Sequence, residues 1–363
     1  MNIDGKAYRT IWLAADGWSV EIIDQTKLPH TLSIVTLRTL EDAARAIKTM
    51  QVRGAPLIGA TAAYGLCLAL RQDSSEDALD RAIALLAEQR PTAINLRWAL
   101  GEIVKAVRNL PPDRRVAAAY QRASELCEGD VEANRRIGLH GAQLIGEIAG
   151  RKQPGERVNI LTHCNAGWLA CVDRGTALAP IYESWDAGVS LHVWVDETRP
   201  RNQGAALSAF ELGAHGVPHT IIVDNAGGHL MQLGLVDICL VGADRVTSNG
   251  DAANKIGTYL KALAAKDNAV PFYVAVPGST IDWTLNSGAD IPIEERSAEE
   301  VLVMTGRNKD GQVLSVEIAA AGSPARNDAF DVTPARLITG LITERGIANA
   351  SSAGLAALYP ESS

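Results

Sequence analysis

The sequence predicts an α/β protein: a mainly helical N-terminal part with a small β-rich start, followed by a parallel sheet with crossover helices. Three observations lead there. Apolar residues recur at helical spacing through successive segments between residues 40 and 149. A polar break, Gly150-Arg151-Lys152-Gln153-Pro154-Gly155-Glu156, then interrupts the pattern. Beyond it the rhythm becomes strand, turn, helix, repeated, as in βαβ units. A chain of 363 residues is long for one core, so two domains are expected, divided as 1–150 and 151–363.

In chain order, residues 8–38 read as short strands and turns, with 19–24 partly alternating before Lys27-Leu28-Pro29 breaks the run. From Thr39 the pattern is helical: Leu40, Ala43, Ala44 and Ile47 follow a Thr-Leu-Glu-Asp start that resembles a cap. Arg53-Gly54-Ala55-Pro56 follows. An Arg-Gly turn before a proline at a helix start leaves backbone N–H groups beside a guanidinium, which suits a phosphate. Helical segments are expected over 74–90, 94–109, 113–128 and 130–149, with a second arginine-plus-turn element at Arg90-Pro91-Thr92-Ala93-Ile94-Asn95-Leu96. Strand candidates after the break are 158–161, 190–195, 219–223, 238–241 and 272–276.

Chemistry collects at the ends of those strands. The first runs into Thr162-His163-Cys164-Asn165-Ala166-Gly167, and residues 168–178 are helix-compatible. Cys164 is therefore expected between a strand end and a helix N-terminus, where ligands bind in open α/β sheets and a thiolate is favoured. Later strands end in Asp196-Glu197-Thr198-Arg199-Pro200, Asp224-Asn225-Ala226-Gly227-Gly228-His229, Ala243-Asp244-Arg245 and Pro277-Gly278-Ser279-Thr280-Ile281-Asp282. One such loop means little, since an acidic residue at a strand end often caps the next helix. Several on one edge read as an active-site rim.

Composition narrows the function. Hydrophobic content of 47% and charged content of 21% are those of a globular protein, and a net charge of −8 without a basic run argues against nucleic acid. The five cysteines (Cys67, Cys127, Cys164, Cys171 and Cys239) form no C-x-x-C pair, so neither a disulfide framework nor a zinc site is indicated and a cytoplasmic setting is expected. No signal-peptide pattern or spanning apolar run occurs, so no membrane partner is expected. Dinucleotide, P-loop and elbow-serine motifs are all absent. Asp196, Glu197 and Asp224 match no metal-ligand spacing, and no metal or other cofactor is expected.

Taken together, Arg53 to Pro56, Arg90 to Leu96, Thr162 to Gly167, Asp196 to Pro200 with Gln203-Gly204-Ala205, and Gly242 to Arg245 with Asn249-Gly250-Asp251 and Asn254 to Tyr259 resemble the 5-methylthioribose-1-phosphate isomerase family. Ser279 to Asp282, Ile293 to Arg296 and Ala329 to Pro334 extend the resemblance over nearly the whole chain. That family is related to the regulatory subunits of the translation-initiation guanine-nucleotide exchange factor and to ribose-1,5-bisphosphate isomerase. The resemblance implies a Rossmann-like C-terminal domain, a homodimer, and aldose-to-ketose conversion of a small phosphorylated sugar in methionine salvage. It also implies Cys164 and Asp244 as the catalytic pair, and Arg53, Gly54, Ala55, Arg90, Gln203, Asn254 and Lys255 as substrate contacts.

The chemistry asks for such residues. Phosphate caps the anomeric carbon, so an acid must protonate the ring oxygen as the ring C–O bond breaks; a buried, protonated Asp244 fits that need. Hydrogen then moves from C2 to C1, either through Cys164 as base or as a direct hydride shift. The same site would serve 5-deoxyribose 1-phosphate, which differs only at C5. Two alternatives stand beside this reading. One is a non-catalytic regulatory protein. The other is a ribose-1,5-bisphosphate isomerase, which needs a second phosphate site for which only Arg199 and Arg201 are available.

Overall fold

A computed structural model of the chain describes residues 1–90 and 93–362. Three antiparallel strands, Ile11–Leu13, Val20–Ile23 and Ile34–Leu37, form the β-rich start. Five helices follow: Leu40–Lys48, Ala55–Gln72, Glu76–Gln89, Ile94–Val107 and Pro112–Ala149. The first carries the expected cap. Thr39 Oγ1 accepts from Asp42 N, while Asp42 accepts from Thr39 N. Ala55–Gln72 is apolar on all sides and buried along nearly its whole length, so the other helices wrap around it. Pro91 and Thr92, part of the second arginine-plus-turn element, lie outside the described residues.

Two expected helices, 113–128 and 130–149, are one helix of 38 residues. A single glycine, Gly129, is too weak to interrupt it, costing about 1 kcal/mol against alanine. The buried stripe of Ala119, Ala123 and Cys127 continues into Ile137 and Ile145. Its first half packs in the core of the N-terminal helices and its second half in the core beneath the main sheet.

The main sheet has seven strands, in the spatial order Gly346–Ala348, Gly340–Thr343, Phe272–Ala275, Ile238–Val241, Val158–Thr162, Leu191–Asp196, His219–Ile222. All neighbours are parallel except the first two, which form an antiparallel pair. Five strands match the expected ones within a residue or so. The pair at 340–348 was not anticipated, because its short Gly-containing runs carry little alternation. Strand order reverses between Val158–Thr162 and Ile238–Val241, so their carboxyl ends open a crevice there. A smaller four-stranded sheet, Ile281–Asp282, Arg245–Thr247, Ala252–Lys255 and Phe330–Thr333, stands over that edge.

One expectation fails at this edge. Residues 168–178 do not form a helix: a single 3-10 turn, Trp168–Ala170, is followed by irregular chain until the helix Ala179–Asp186. Trp168 N and Leu169 N bond to the buried carboxylate of Glu211, while Thr176 N and Leu178 N both reach Ala166 O. Gly175, at φ +83°, lies so close to Gly167 that a Cβ would fall 2.3 Å from its carbonyl carbon. These long-range bonds satisfy the N–H groups without a helix. Cys164 therefore does not sit at a helix N-terminus.

Candidate active site

Nine residues singled out from the sequence line one cavity at the strand-order reversal: Arg53, Gly54, Ala55, Arg90, Cys164, Gln203, Asp244, Asn254 and Lys255. They come from six places along the chain. Gly54, at φ +89° and ψ 139°, caps the helix Ala55–Gln72 and sets Arg53 at its mouth. A Cβ there would lie 2.6 Å from Ala170, so only glycine allows this approach. Cys164 follows the Val158–Thr162 strand. Asp244 follows the adjacent Ile238–Val241 strand and is held by Asp244 N donating to Ala253 O at 2.9 Å. Asn254 and Lys255 end the strand Ala252–Lys255.

Cys164 adopts a left-handed conformation, φ +65°. Its N–H donates to Thr198 Oγ1 at 2.8 Å, and its carbonyl accepts from Ser208 Oγ at 2.8 Å. The thiol donates to Gln203 Oε1 at 3.5 Å. Gln203 stands before a π turn, Gly204–Ser208, that leads into the helix Ala209–His215. Burial pushes the Cys164 thiol up, whereas the charges of Arg53 and Lys255 pull it down and Asp244 raises it again. The expected helix dipole plays no part, and the net direction is upward. Asp244 is also raised, by burial against the opposing pull of Lys255, Arg90 and Arg53. Burial lowers Lys255, with Cys164 and Asp244 opposing. A thiol and a carboxyl, both raised by burial, thus share a pocket with Arg53, Arg90 and Lys255.

Those cations are held in different ways. Arg53 donates from Nη2 to Asn165 O at 2.7 Å and from Nη1 to Asn165 Oδ1. Arg90 is 8% exposed and faces Glu294 at 3.4 Å, yet its Nε and Nη1 are buried without a hydrogen-bond partner among the described residues. Buried orphan donors are costly, and an anion would satisfy them. The turn 277–282 reaches the cavity with Thr280, whose Oγ1 donates to Asn95 Oδ1 at 3.2 Å.

Two residues here, Arg296 and Glu211, were given no role from the sequence. Arg296 lines the cavity and pairs with Glu294 at 2.9 Å and Glu300 at 2.8 Å. Glu211 lies beneath the Cys164 turn and accepts from Trp168 N, Leu169 N, Asn165 Nδ2 and Tyr182 Oη at 2.8–3.0 Å. A lone acid in the apolar run Ala209-Phe210-Glu211-Leu212 was the available signal, since such residues are rarely buried unless paired. His163, Asp196 and Asp224 also converge, but the cation among them is Lys261: its Nζ is 3.2 Å from Asp196 Oδ2 and donates to Asp224 O. Arg199 and Arg201 are committed to Val301 O and Glu300, at 2.7 and 2.9 Å.

Residues 51–350 match the Initiation factor 2 subunit family. Across 362 residues, 99% of each chain, the sequence is 62% identical to a methylthioribose-1-phosphate isomerase of Methylorubrum extorquens, and a Sinorhizobium medicae relative of the same name is 62% identical over full length. The chain belongs to the methylthioribose-1-phosphate isomerase family. Among solved structures it resembles the 5-methylthioribose 1-phosphate isomerase of Pyrococcus horikoshii OT3, with 41% identity, a TM-score of 0.82, and coverage of 98% of this chain and 97% of that one. It also resembles a protein described as translation initiation factor eIF-2B, subunit delta, from A. fulgidus, with 36% identity, a TM-score of 0.79, and coverage of 98% and 100%. The two likenesses agree with the relationship inferred from sequence between isomerases and translation-factor subunits.

Proposed function

We propose that this protein converts 5-methylthioribose 1-phosphate to 5-methylthioribulose 1-phosphate, an aldose-ketose isomerisation of methionine salvage. The observation that carries this is the meeting of Cys164 and Asp244 with Arg53, Arg90 and Lys255 in one cavity. In this reading Arg53, Arg90, Lys255 and the backbone at Gly54 and Ala55 hold the phosphate. Gln203 and Asn254 contact the sugar hydroxyls. Asp244, raised by burial, gives its proton to the ring oxygen as the ring C–O bond at C1 breaks. Hydrogen then passes from C2 to C1, either by way of Cys164 as base through an enolate-like intermediate, or as a hydride while Cys164 assists the 2-OH. The methylthio end faces the adjoining groove of about 890 Å³, whose walls include Leu28, Met50, Leu207 and Met304. A 5-deoxy sugar would fit the same place.

The strand order supports a Rossmann-like reading of 151–363 beside a helical 1–150. The exposed Ile221, Val223, Leu233 and Leu235 near the sheet's edge support a homodimer. No helix among the described residues is long and apolar enough to cross a membrane, in keeping with a cytoplasmic enzyme. Purified protein, treated with EDTA, should turn over methylthioribose 1-phosphate, with 5-deoxyribose 1-phosphate assayed in parallel by NMR of the ketose. Cys164→Ser and Asp244→Asn should each lower kcat by about 10²–10⁴-fold with the fold intact. Near-normal turnover by either variant removes that residue from its role. Turnover of neither sugar by folded parent protein favours the regulatory reading.

A further inference from the structure

His163 lies next to Cys164 in sequence, yet its side chain points away from the cavity, and the proposed chemistry leaves it without a task. The ring is buried, with side-chain exposure of 1%. Its Nδ1 is 2.9 Å from Asp196 Oδ2, and Asp196 is in turn 3.2 Å from Lys261 Nζ. Its Nε2 is 2.8 Å from Ile256 O. A carbonyl oxygen can only accept, so Nε2 donates. Ile256 follows Lys255 directly, and Gly257 backs against the ring: a Cβ there would lie 3.1 Å from Cε1 and 3.2 Å from Nε2. Gly257 N and Tyr259 N are tied to Asp331 at 2.7 and 3.1 Å. The ring thus joins two strand ends that share no hydrogen-bond ladder, the one carrying Cys164 and the one carrying Lys255.

We propose that His163 is a positioning residue that sets the Lys255 ammonium against the Cys164 thiol by bridging Asp196 to the Ile256 carbonyl. This deepens the isomerase reading and rests on it for kcat, but the placement itself can be read without turnover. The charged groups acting on the thiol are Arg53 from the start of the helix Ala55–Gln72, Lys255 from its strand and Asp244 from the neighbouring loop. Arg53 is anchored to Asn165 and does not depend on His163. If the bridge to Ile256 is lost, Lys255 recedes, its pull on the thiol weakens and the Cys164 pKa rises.

The test uses two variants. His163→Asn places an N–H near the Nδ1 position and keeps the Asp196 bond alone. His163→Gln places an N–H near the Nε2 position and keeps the Ile256 bond. The pH midpoint of iodoacetamide alkylation at Cys164 is read for each, with Cys164→Ser as the background, alongside kcat, KM and the thermal midpoint. His163→Asn is expected to move the alkylation midpoint up by about 1 in pH, to lower kcat about tenfold or more and, because Lys255 also holds the phosphate, to raise KM. His163→Gln is expected to keep the midpoint and a kcat within about threefold of the parent. Equal behaviour of the two variants, or a fall in thermal midpoint with the alkylation midpoint unmoved, overturns the proposal. Should His163→Asn fail to fold, His163→Gln decides alone: a parent-like midpoint supports it and an elevated one refutes it. Absence of turnover in the parent refutes the isomerase reading and leaves the alkylation result standing.

Discussion

Replacing Gly54 with alanine tests the geometry that brings Arg53 into the cavity. Gly54 has φ +89° and ψ 139°, a region essentially reserved for glycine. Strain there is about 1–3 kcal/mol for another residue. The added Cβ would also lie 2.6 Å from Cα, Cβ and O of Ala170. Two of those atoms are backbone, so either the helix start or the 168–170 turn must move, at about 1–3 kcal/mol more. Together the change costs roughly 2–6 kcal/mol, a fall in thermal midpoint of roughly 3–8 °C for a chain of this size. The same movement carries Arg53 and Asn165 with it, and a displacement of about 1 Å can cost about 10²-fold in kcat/KM. A matched control is Gly129→Ala. That glycine lies inside the long helix with nothing within 4 Å of its missing Cβ. Alanine there should stabilise by about 0.5–1 kcal/mol and leave turnover alone. Thermal unfolding and steady-state kinetics on the parent and both variants check this. If Gly54→Ala kept the thermal midpoint and turnover of the parent, the close approach at Ala170 would be wrong.

Two further outcomes follow from buried charges. Burial pushes Glu211 up to about 7 despite its four hydrogen bonds. Its folded value therefore lies above its unfolded one, so the stability it contributes is complete below about 4.5 and is lost as pH rises through about 7. The thermal midpoint of the parent should fall more steeply between pH 5 and 8 than that of Glu211→Gln, which cannot ionise; parallel curves would refute the burial argument. Lys261 is the buried cation between Asp196 and Asp224, with side-chain exposures of 5% and 0% for Lys261 and Asp196. Lys261→Met removes the ammonium from the Asp196 carboxylate, leaving it His163 alone, and should destabilise by about 3–5 kcal/mol in urea unfolding; a loss under about 1 kcal/mol would show the pair to be solvated.

Much of the site was legible because its parts are local words. Arg53-Gly54-Ala55-Pro56 announces a helix start beside a guanidinium, and it is one. The turn after 158–162 announces a polar strand end, and Cys164 stands there. The helix expected over 168–178 was not realised, because helical spacing reports only neighbours along the chain. The N–H groups that a helix would have used are claimed by Glu211, more than forty residues away, and the chain is bent where Gly167 meets Gly175. The segments 113–128 and 130–149 erred in the other direction: they were expected as two helices, but a continuous buried stripe carries one helix through Gly129.

By itself the sequence determined the helical first part, the parallel strands and the chemical character of each strand end, since periodicity and turn chemistry are short-range. Only the tertiary structure decided which ends meet. The order reversal between Val158–Thr162 and Ile238–Val241 sets Cys164 beside the loop of Asp244, and the folding of the helix Ala55–Gln72 against Ala170 brings in Arg53. The same packing buries Cys164 and Asp244 and raises both, reversing the thiolate expected from a helix dipole. Burial and partner charge depend on residues distant in sequence, and no local pattern encodes them.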